Sequence, residues 1–241
     1  RTRYCNKYHN TKPLKCQDSK KSSFIRFFTS LFLPLIIVEE RLLDIKGGTS
    51  MLKDLVLRNR RYRGYDESRK VSREELAELV DLTRYTASSV NMQPLKYYLA
   101  CDKEEVEKIV SITKWAAALS ELHLPHPGSY PAAFIVICQD LEISPSTTTF
   151  QRDVGIAAQT ILLGATEKGL GGCMIGNFKR SEMKSLLHLS ENIEPNLVLA
   201  IGKPAEKVVL TSVKEDGKTS YYRDEEGTHY VPKRSLEDII L

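Results

Sequence analysis

The chain has 241 residues, of which 41% are hydrophobic and 27% charged, so it can bury the core of a domain, and collagen, disulfide-scaffold and disordered classes are excluded. The net charge of +4 is unevenly distributed: residues 1–50 carry ten Lys and Arg against four Asp and Glu, whereas residues 51–241 carry 25 against 27. The larger part has no general positive field, and we expect no nucleic-acid partner.

The first fifty residues differ in composition from the rest of the chain. Residues 24–38 form an apolar run that contains an arginine and a proline. The run is shorter than the roughly 20 apolar residues of a membrane span, and no small-residue cleavage pattern follows it. A Lys-Gly-Gly sequence shortly before Met51 can be encoded by a purine-rich stretch that resembles a ribosome-binding site. We expect residues 1–50 to be a leader, whether disordered, anchor-like or translated upstream sequence, and residues 51–241 to form the domain.

Helices and strands alternate in the remainder of the sequence. Ser72 and Glu75 form a capping box that begins a helix to about residue 84, and Asp102 begins a second helix to about residue 119. Residues 150–168 have small and apolar side chains at helical spacing on nearly all sides, which predicts a long central helix. Strands are predicted at 96–101, 132–138, 173–175 and 197–201. The pattern indicates one domain of the α+β or α/β class, with helices packed on a sheet.

The cysteine and histidine positions argue against disulfides and metals. The five cysteines are odd in number and form no CxxC pair, which is typical of reduced thiols in a reducing compartment such as the cytoplasm. Four histidines stand singly in the sequence and are expected at surface or turn positions rather than as metal ligands: His123, His126, His188 and His229. No HExxH, GxSxG or P-loop motif occurs, so hydrolase and metalloenzyme functions have no candidate residues.

An arginine-rich segment, RNRRYRGYD, places Arg58, Arg60, Arg61 and Arg63 within six residues. Four cations at this spacing repel one another unless an anion lies between them. The segment is either a solvated helix end or a phosphate site, because guanidinium groups bind phosphate oxygens in pairs.

Two further segments have two interpretations each. Ser88, Asn91 and Gln93 in TASSVNMQP either hold a turn or present paired donors and acceptors to a heterocycle. The glycines of GLGGCMIG, residues 169–176, lie between a predicted helix and a predicted strand, which is the reverse of the order in a dinucleotide-binding fingerprint. They permit close approach of the backbone to a flat ligand or to another chain.

Taken together and in order, these segments resemble the FMN-dependent nitroreductase family. NRRYRGYD is similar to its N-terminal basic motif, TASSVNMQP to its PSxxNxQP segment, and DVGIAAQTILLGATEKGLGGCMIG to its central helix and the glycine turn that follows. VLAIGKPAE and HYVPKRSLEDII resemble its last core strand and its C-terminal phosphate-contacting segment. The resemblance spans residues 53–241, with one departure, because Arg61 stands where the family usually has serine.

The resemblance implies a set of flavin-contacting residues in this sequence. The basic residues would contact the phosphate and the pyrimidine edge, the polar loop the ribityl chain and the polar edge, and backbone amides the isoalloxazine ring. The residues implied are, in that order, Arg60, Arg61, Arg63, Lys233 and Arg234, then Ser88, Asn91 and Gln93, then Met174, Ile175 and Gly176. Family members are homodimers with FMN between the subunits, so the groups would come from both chains. The resemblance also implies an α+β domain of three layers, in which helices flank a mixed sheet around a long central helix.

The implied activity is transfer of hydride from NADH or NADPH to flavin nitrogen-5 and then to a nitroaromatic, quinone or similar conjugated acceptor, by a ping-pong mechanism. Two alternatives are a flavoenzyme of the same fold with other chemistry, such as reductive dehalogenation or substrate oxidation, and a flavin-binding protein without turnover. We expect the loop of residues 121–131 to help shape the acceptor pocket. The sequence leaves open whether Tyr221, Tyr222 and His229 contact the ligand or only pack.

Overall fold

The computed structural model describes residues 51–116 and 122–241. The leader predicted at residues 1–50, with its apolar run and two of the cysteines, therefore lies outside the described residues, as do residues 117–121. Within the described ranges, no helix combines the length and the apolar character needed to cross a membrane.

The described part of the chain contains helices and strands in alternation, as the sequence predicts. The α-helices are α1 (Met51–Arg58), α2 (Arg73–Asp81), α3 (Lys103–Ile112), α4 (Gln151–Glu167) and α5 (Arg180–Leu186). The strands are β1 (Tyr65–Asp66), β2 (Leu95–Ala100), β3 (Ala133–Asp140), β4 (Gly171–Ile175), β5 (Ile193–Pro204), β6 (Val208–Ser212), β7 (Tyr222–Arg223) and β8 (His229–Lys233). Short 3-10 turns follow α2 and precede β2.

Strand β5 organises the larger sheet. One of its edges pairs with β3, which in turn pairs with β2, and its other edge pairs with β4 and β1. These named pairings are all antiparallel. A second, smaller sheet has the order β6-β8-β7 and contains the parallel pair β6 and β8.

The larger sheet is covered by helices on both faces. Strand β3, predicted at residues 132–138, is covered on both sides, and its residues up to Gln139 are buried. Ile135 and Ile137 lie in one core cluster with residues of α2 and α4, whereas Phe134 and Val136 lie in a second cluster with residues of α3 and of α5. The prediction of a three-layer α+β domain is thus confirmed, with α4 as the long helix against one face.

The predicted capping box begins α2. The Ser72 hydroxyl accepts a hydrogen bond from the Glu75 amide at 3.2 Å, and the Glu75 carboxylate accepts one from the Ser72 amide at 3.0 Å. Replacing Ser72 by alanine leaves the Glu75 amide without this partner. We expect Ser72→Ala to lower the free energy of unfolding by about 1 kcal/mol, measured by urea unfolding. Ser72→Asp should recover most of that loss, and equal stability of the alanine variant and the wild type would contradict the assignment.

The second helix is shorter than predicted. It begins after Asp102, whose carboxylate accepts from the amides of Glu104 and Glu105, but it ends at Ile112 rather than near residue 119. Thr113 is extended and forms a bridge with Phe178, and the Lys114 amide donates to the Asn177 carbonyl at 2.8 Å. Tertiary pairing therefore overrides the local helical pattern at this point.

Candidate functional site

A cavity of about 320 Å³ lies between the segment that follows α1, helix α4, strand β4 and the smaller sheet. Such a volume is at the lower end of the range for small-molecule sites. Among the described residues that line it, four side chains are cationic and none is a carboxylate. The lining residues are Val56, Asn59, Arg60, Arg61, Arg63, Gln159, Leu162, Met174, Val208, Tyr221, His229, Val231 and Lys233.

Two of the arginines are incompletely paired. The Arg60 guanidinium donates to the Val56 carbonyl, but its Nε is buried without a partner among the described residues, and burial lowers its pKa. Arg63 is only 5% exposed, and its Nε likewise has no partner there. A buried guanidinium is costly unless its donors are satisfied, so the cavity is suited to an anion.

The backbone of the arginine segment is held against β4. The Tyr62 amide donates to the Gly172 carbonyl at 3.1 Å, and Arg61 forms an isolated bridge with the same glycine. A Cβ at Gly171 would lie 2.5 Å from the Tyr62 ring. The close approach that the glycines were expected to allow is thus made by other parts of the same chain at Gly171 and Gly172, whereas Gly176 faces open space.

His229 is buried in the wall of the cavity, and the expectation of a surface or turn position is wrong for this histidine. It is 1% exposed on β8, and its Nε2 lies 3.1 Å from Arg63 Nη1. Tyr221 lies against both groups: its ring centroid is 5.2 Å from the imidazole and 5.0 Å from the guanidinium carbon. Burial, helped by the charges of Arg63 and Arg223, lowers the pKa of His229 to about 4.

The depressed pKa of His229 should make the protein less stable in mild acid. In the unfolded chain a histidine takes up a proton near pH 6.5, whereas the folded protein resists protonation until about pH 4. As the pH falls through this window, the unfolded chain binds more protons, so the free energy of unfolding should decrease. Urea unfolding at about pH 7 and about pH 5 should show a larger loss for the wild type than for His229→Phe. Equal losses would contradict the buried neutral state.

Five of the eleven predicted site residues line this cavity. These are Arg60, Arg61, Arg63, Met174 and Lys233. Three more are their neighbours in sequence: Ile175 is buried in the core, Gly176 is open to solvent, and Arg234 is exposed just after β8. Six further residues line the cavity without having been predicted from the sequence: Val56, Asn59, Gln159, Leu162, Val208 and Val231.

The remaining three predicted residues lie elsewhere in the chain. Ser88 and Gln93 line a separate cavity of about 160 Å³, together with Asp153 at the start of α4, and Asn91 lies on the same loop. Asp153 and Leu162 are nine positions apart on α4, which corresponds to about 13 Å along the helix axis. One chain therefore does not bring the polar loop and the cationic cavity into a single pocket.

The polar loop of residues 88–93 is hydrogen-bonded to α4 at its start and has a strained backbone at its tip. The Asp153 carboxylate accepts hydrogen bonds from the Ser88 hydroxyl at 2.7 Å and from the Ser89 amide and hydroxyl. Burial alone would raise the pKa of Asp153, but these hydrogen bonds outweigh it and hold the pKa below its usual value. Val90, Asn91 and Gln93 have positive φ angles, and Val90 is 86% exposed. The loop is thus hydrogen-bonded to α4 at Ser88 and Ser89 and exposes its tip at Val90.

Comparisons with known proteins identify the fold. A protein of Methanothermobacter thermautotrophicus named as an NADH dehydrogenase/NAD(P)H nitroreductase is 26% identical over 68% of this chain and 83% of its own length. The structure of an FMN-dependent nitroreductase from Clostridium difficile superposes with a TM-score of 0.53 at 20% identity, covering 64% of this chain and 87% of that one.

A further structure, of an Exiguobacterium sibiricum nitroreductase in complex with FMN, has a TM-score of 0.53 at 17% identity and covers 66% of this chain and 91% of that one. Residues 57–203, more than half of the chain, match the model of the nitroreductase family. The resemblance inferred from the five sequence segments is confirmed, and the chain belongs to the nitroreductase family.

Proposed function

We propose that this chain is an FMN-dependent oxidoreductase that takes hydride from NADH or NADPH and delivers it to a nitroaromatic, quinone or similar conjugated acceptor by a ping-pong mechanism. The observation that carries the proposal is the cavity lined by Arg60, Arg61, Arg63 and Lys233, to which the described part of the chain contributes no carboxylate. The names of the relatives, which include nitroreductases that use FMN or NAD(P)H, support the choice of cofactor and reductant.

The residues present fit a phosphorylated flavin. The unpartnered Nε atoms of Arg60 and Arg63 are donors that a phosphate oxygen would satisfy. Leu162 and Met174 provide apolar lining suited to a flat ring. When bound, FMN supplies two-electron redox chemistry, for which this site has no side chain. The chain's own groups bind and orient the cofactor, and their positive charge favours its anionic reduced form.

We propose that the site is completed by a second copy of the chain. Ser88, Asn91 and Gln93 would then approach the cavity of the partner and contact the polar edge of the flavin. The separate placement of these residues and the exposure of Val90 support this arrangement. We also propose a cytoplasmic location, since Cys138 and Cys173 are free thiols in the core.

The absorbance spectrum of the purified protein tests the cofactor directly, and we expect the yellow colour of bound flavin. Steady-state oxidation of NADH and of NADPH is then followed with menadione or nitrofurazone as acceptor. Double-reciprocal plots should give parallel lines, as ping-pong kinetics require. A coloured protein without steady-state turnover is a flavin-binding protein or a flavoenzyme with other chemistry. A protein that binds no flavin would refute the proposal.

A further inference from the structure

The buried arginine of the cavity is paired with a neutral group. The Arg63 guanidinium has His229 Nε2 as its hydrogen-bond partner at 3.1 Å, and no carboxylate lies within ion-pair distance of it in the part of the chain that is described. A guanidinium donates only, so Nε2 must accept, and the proton of the neutral imidazole therefore sits on Nδ1, which is buried without a hydrogen-bond partner among the described residues. Both residues are at least nine-tenths buried.

The nearest acid is engaged by other groups. One oxygen of Glu206 accepts from the Arg63 backbone amide, and the other accepts from the side chain of Arg223. Glu206 thus fixes the Arg63 backbone, and its charge is compensated by Arg223. Among the described residues, the charge of the Arg63 side chain is left without an acidic partner, although the Glu206 carboxylate is hydrogen-bonded to the Arg63 backbone amide.

The hydrogen-bond partner of the Arg63 guanidinium decides how much positive charge remains in the cavity. A carboxylate in place of His229 would orient the guanidinium and also cancel its charge, whereas an imidazole orients it and leaves the charge available. The Tyr221 ring, which lies against both groups, restricts them further. The pKa of His229, lowered by burial and by the charges of Arg63 and Arg223, keeps the ring neutral near pH 7.

We propose that His229 is a positioning residue that holds Arg63 in the cavity with its charge uncompensated, and that it thereby sets the preference for a phosphorylated over an unphosphorylated flavin. The inference rests on the proposed function for the identity of the ligand. His229 and Tyr221 both lie beyond residues 57–203, the range that matches the family model. The residues that orient Arg63 therefore come from the C-terminal segment of this chain.

Three replacements of His229 separate charge from packing. His229→Gln keeps a neutral acceptor. His229→Glu has nearly the shape of the glutamine variant but carries a negative charge, and His229→Phe keeps a ring without an acceptor. The full chain freed of flavin is titrated with FMN and with riboflavin, followed by flavin fluorescence. We expect the ratio of the FMN and riboflavin affinities to fall about tenfold in His229→Phe and more in His229→Glu, and to stay within about threefold of wild type in His229→Gln.

Riboflavin affinity should be little changed in all three variants, because riboflavin has no phosphate. A loss of packing would instead weaken the binding of both flavins alike and leave the ratio of their affinities unchanged. Equal ratios in the wild type, the phenylalanine variant and the glutamate variant would overturn the inference. If the wild type binds neither flavin, the proposed function fails, and titration of the same proteins with inorganic pyrophosphate tests His229 instead. The same order of affinities is then expected, and equal affinities would overturn the inference.

A measurement on the wild type does not depend on whether the variants fold. Nitrogen-15 NMR of the histidine side chains should show His229 neutral at about pH 7, with the proton on Nδ1 and an unprotonated Nε2. The assignment comes from the signal that is missing in His229→Gln or His229→Phe. A protonated Nε2, in either the neutral or the charged ring, is incompatible with acceptance from Arg63 and would overturn the inference.

Discussion

Replacing Arg60 and Arg63 together by alanine is expected to weaken FMN binding by at least about 100-fold while the fold is retained. Both arginines line the cavity, each has a buried Nε without a partner among the described residues, and a hydrogen bond between a guanidinium and a phosphate contributes about 1.5–3 kcal/mol. Two such contacts correspond to a combined loss of two or more powers of ten in the dissociation constant. The purified double variant should be colourless.

The matched control removes two positive charges elsewhere. Lys103 and Lys108 are exposed on α3, where their amino groups lie about 4 Å from glutamates of the same helix. The variant with both lysines replaced by alanine should keep FMN. Riboflavin affinity should change little in either protein, since riboflavin has no phosphate. FMN occupancy of the arginine double variant equal to that of the wild type, at an unchanged far-UV circular dichroism spectrum, would refute the phosphate role.

Much of the architecture could be predicted from local sequence. A short stretch of sequence is enough to predict several elements. Examples are the capping box at Ser72 for α2, the branched apolar run of β3 and the spacing of small residues in α4. The arginine segment and Lys233 could be assigned to one site because their surrounding motifs resemble a known family. The cavity brings these residues together, and their contact with FMN stays a prediction.

The pairing of His229 with Arg63 could not be predicted from local sequence. The two residues are 166 positions apart, and the strand that carries the histidine is short and contains Pro232, which argues against a strand inside a sheet. An isolated histidine near a basic segment is as typical of an exposed turn as of a buried wall. The deciding contacts come from β7 and from the segment before β1, and no local pattern specifies them.

The placement of the polar loop could not be predicted from local sequence, although the family resemblance implied that the flavin-contacting groups come from both chains. Ser88, Asn91 and Gln93 were assigned to the same ligand as the arginines, but the helix that anchors their loop through Asp153 carries them away from the cavity of their own chain. This separation follows from the position on α4 to which the loop is attached, which the sequence does not specify. The need for a second copy is thus a hypothesis about assembly, which a sequence of one chain does not test.

The glycines after α4 show the same dependence on distant neighbours and lead to the largest expected effect on stability. A Cβ at Gly172 would collide with the carbonyl oxygen of Ala200 on β5 and would lie 2.6 Å from Leu162 Cδ2. The oxygen belongs to the backbone of a central strand, so no rotamer change relieves the contact. We expect Gly172→Ala to lower the free energy of unfolding by at least about 3 kcal/mol, at the upper end of the cost of overpacking.

Gly176→Ala is the matched control, because no heavy atom of residues 51–116 or 122–241 lies within 4 Å of the position that its Cβ would take. Its stability should differ from wild type by less than about 1 kcal/mol. Urea unfolding of the two variants at one pH compares them directly, and the melting temperature of Gly172→Ala should fall by about 6–12 °C. Equal stabilities would show that β4 can move away from β5 at little cost. The wall of the cavity formed by Met174 would then be adjustable rather than fixed by the sheet, and the fit of a flat ring against it would lose its structural basis.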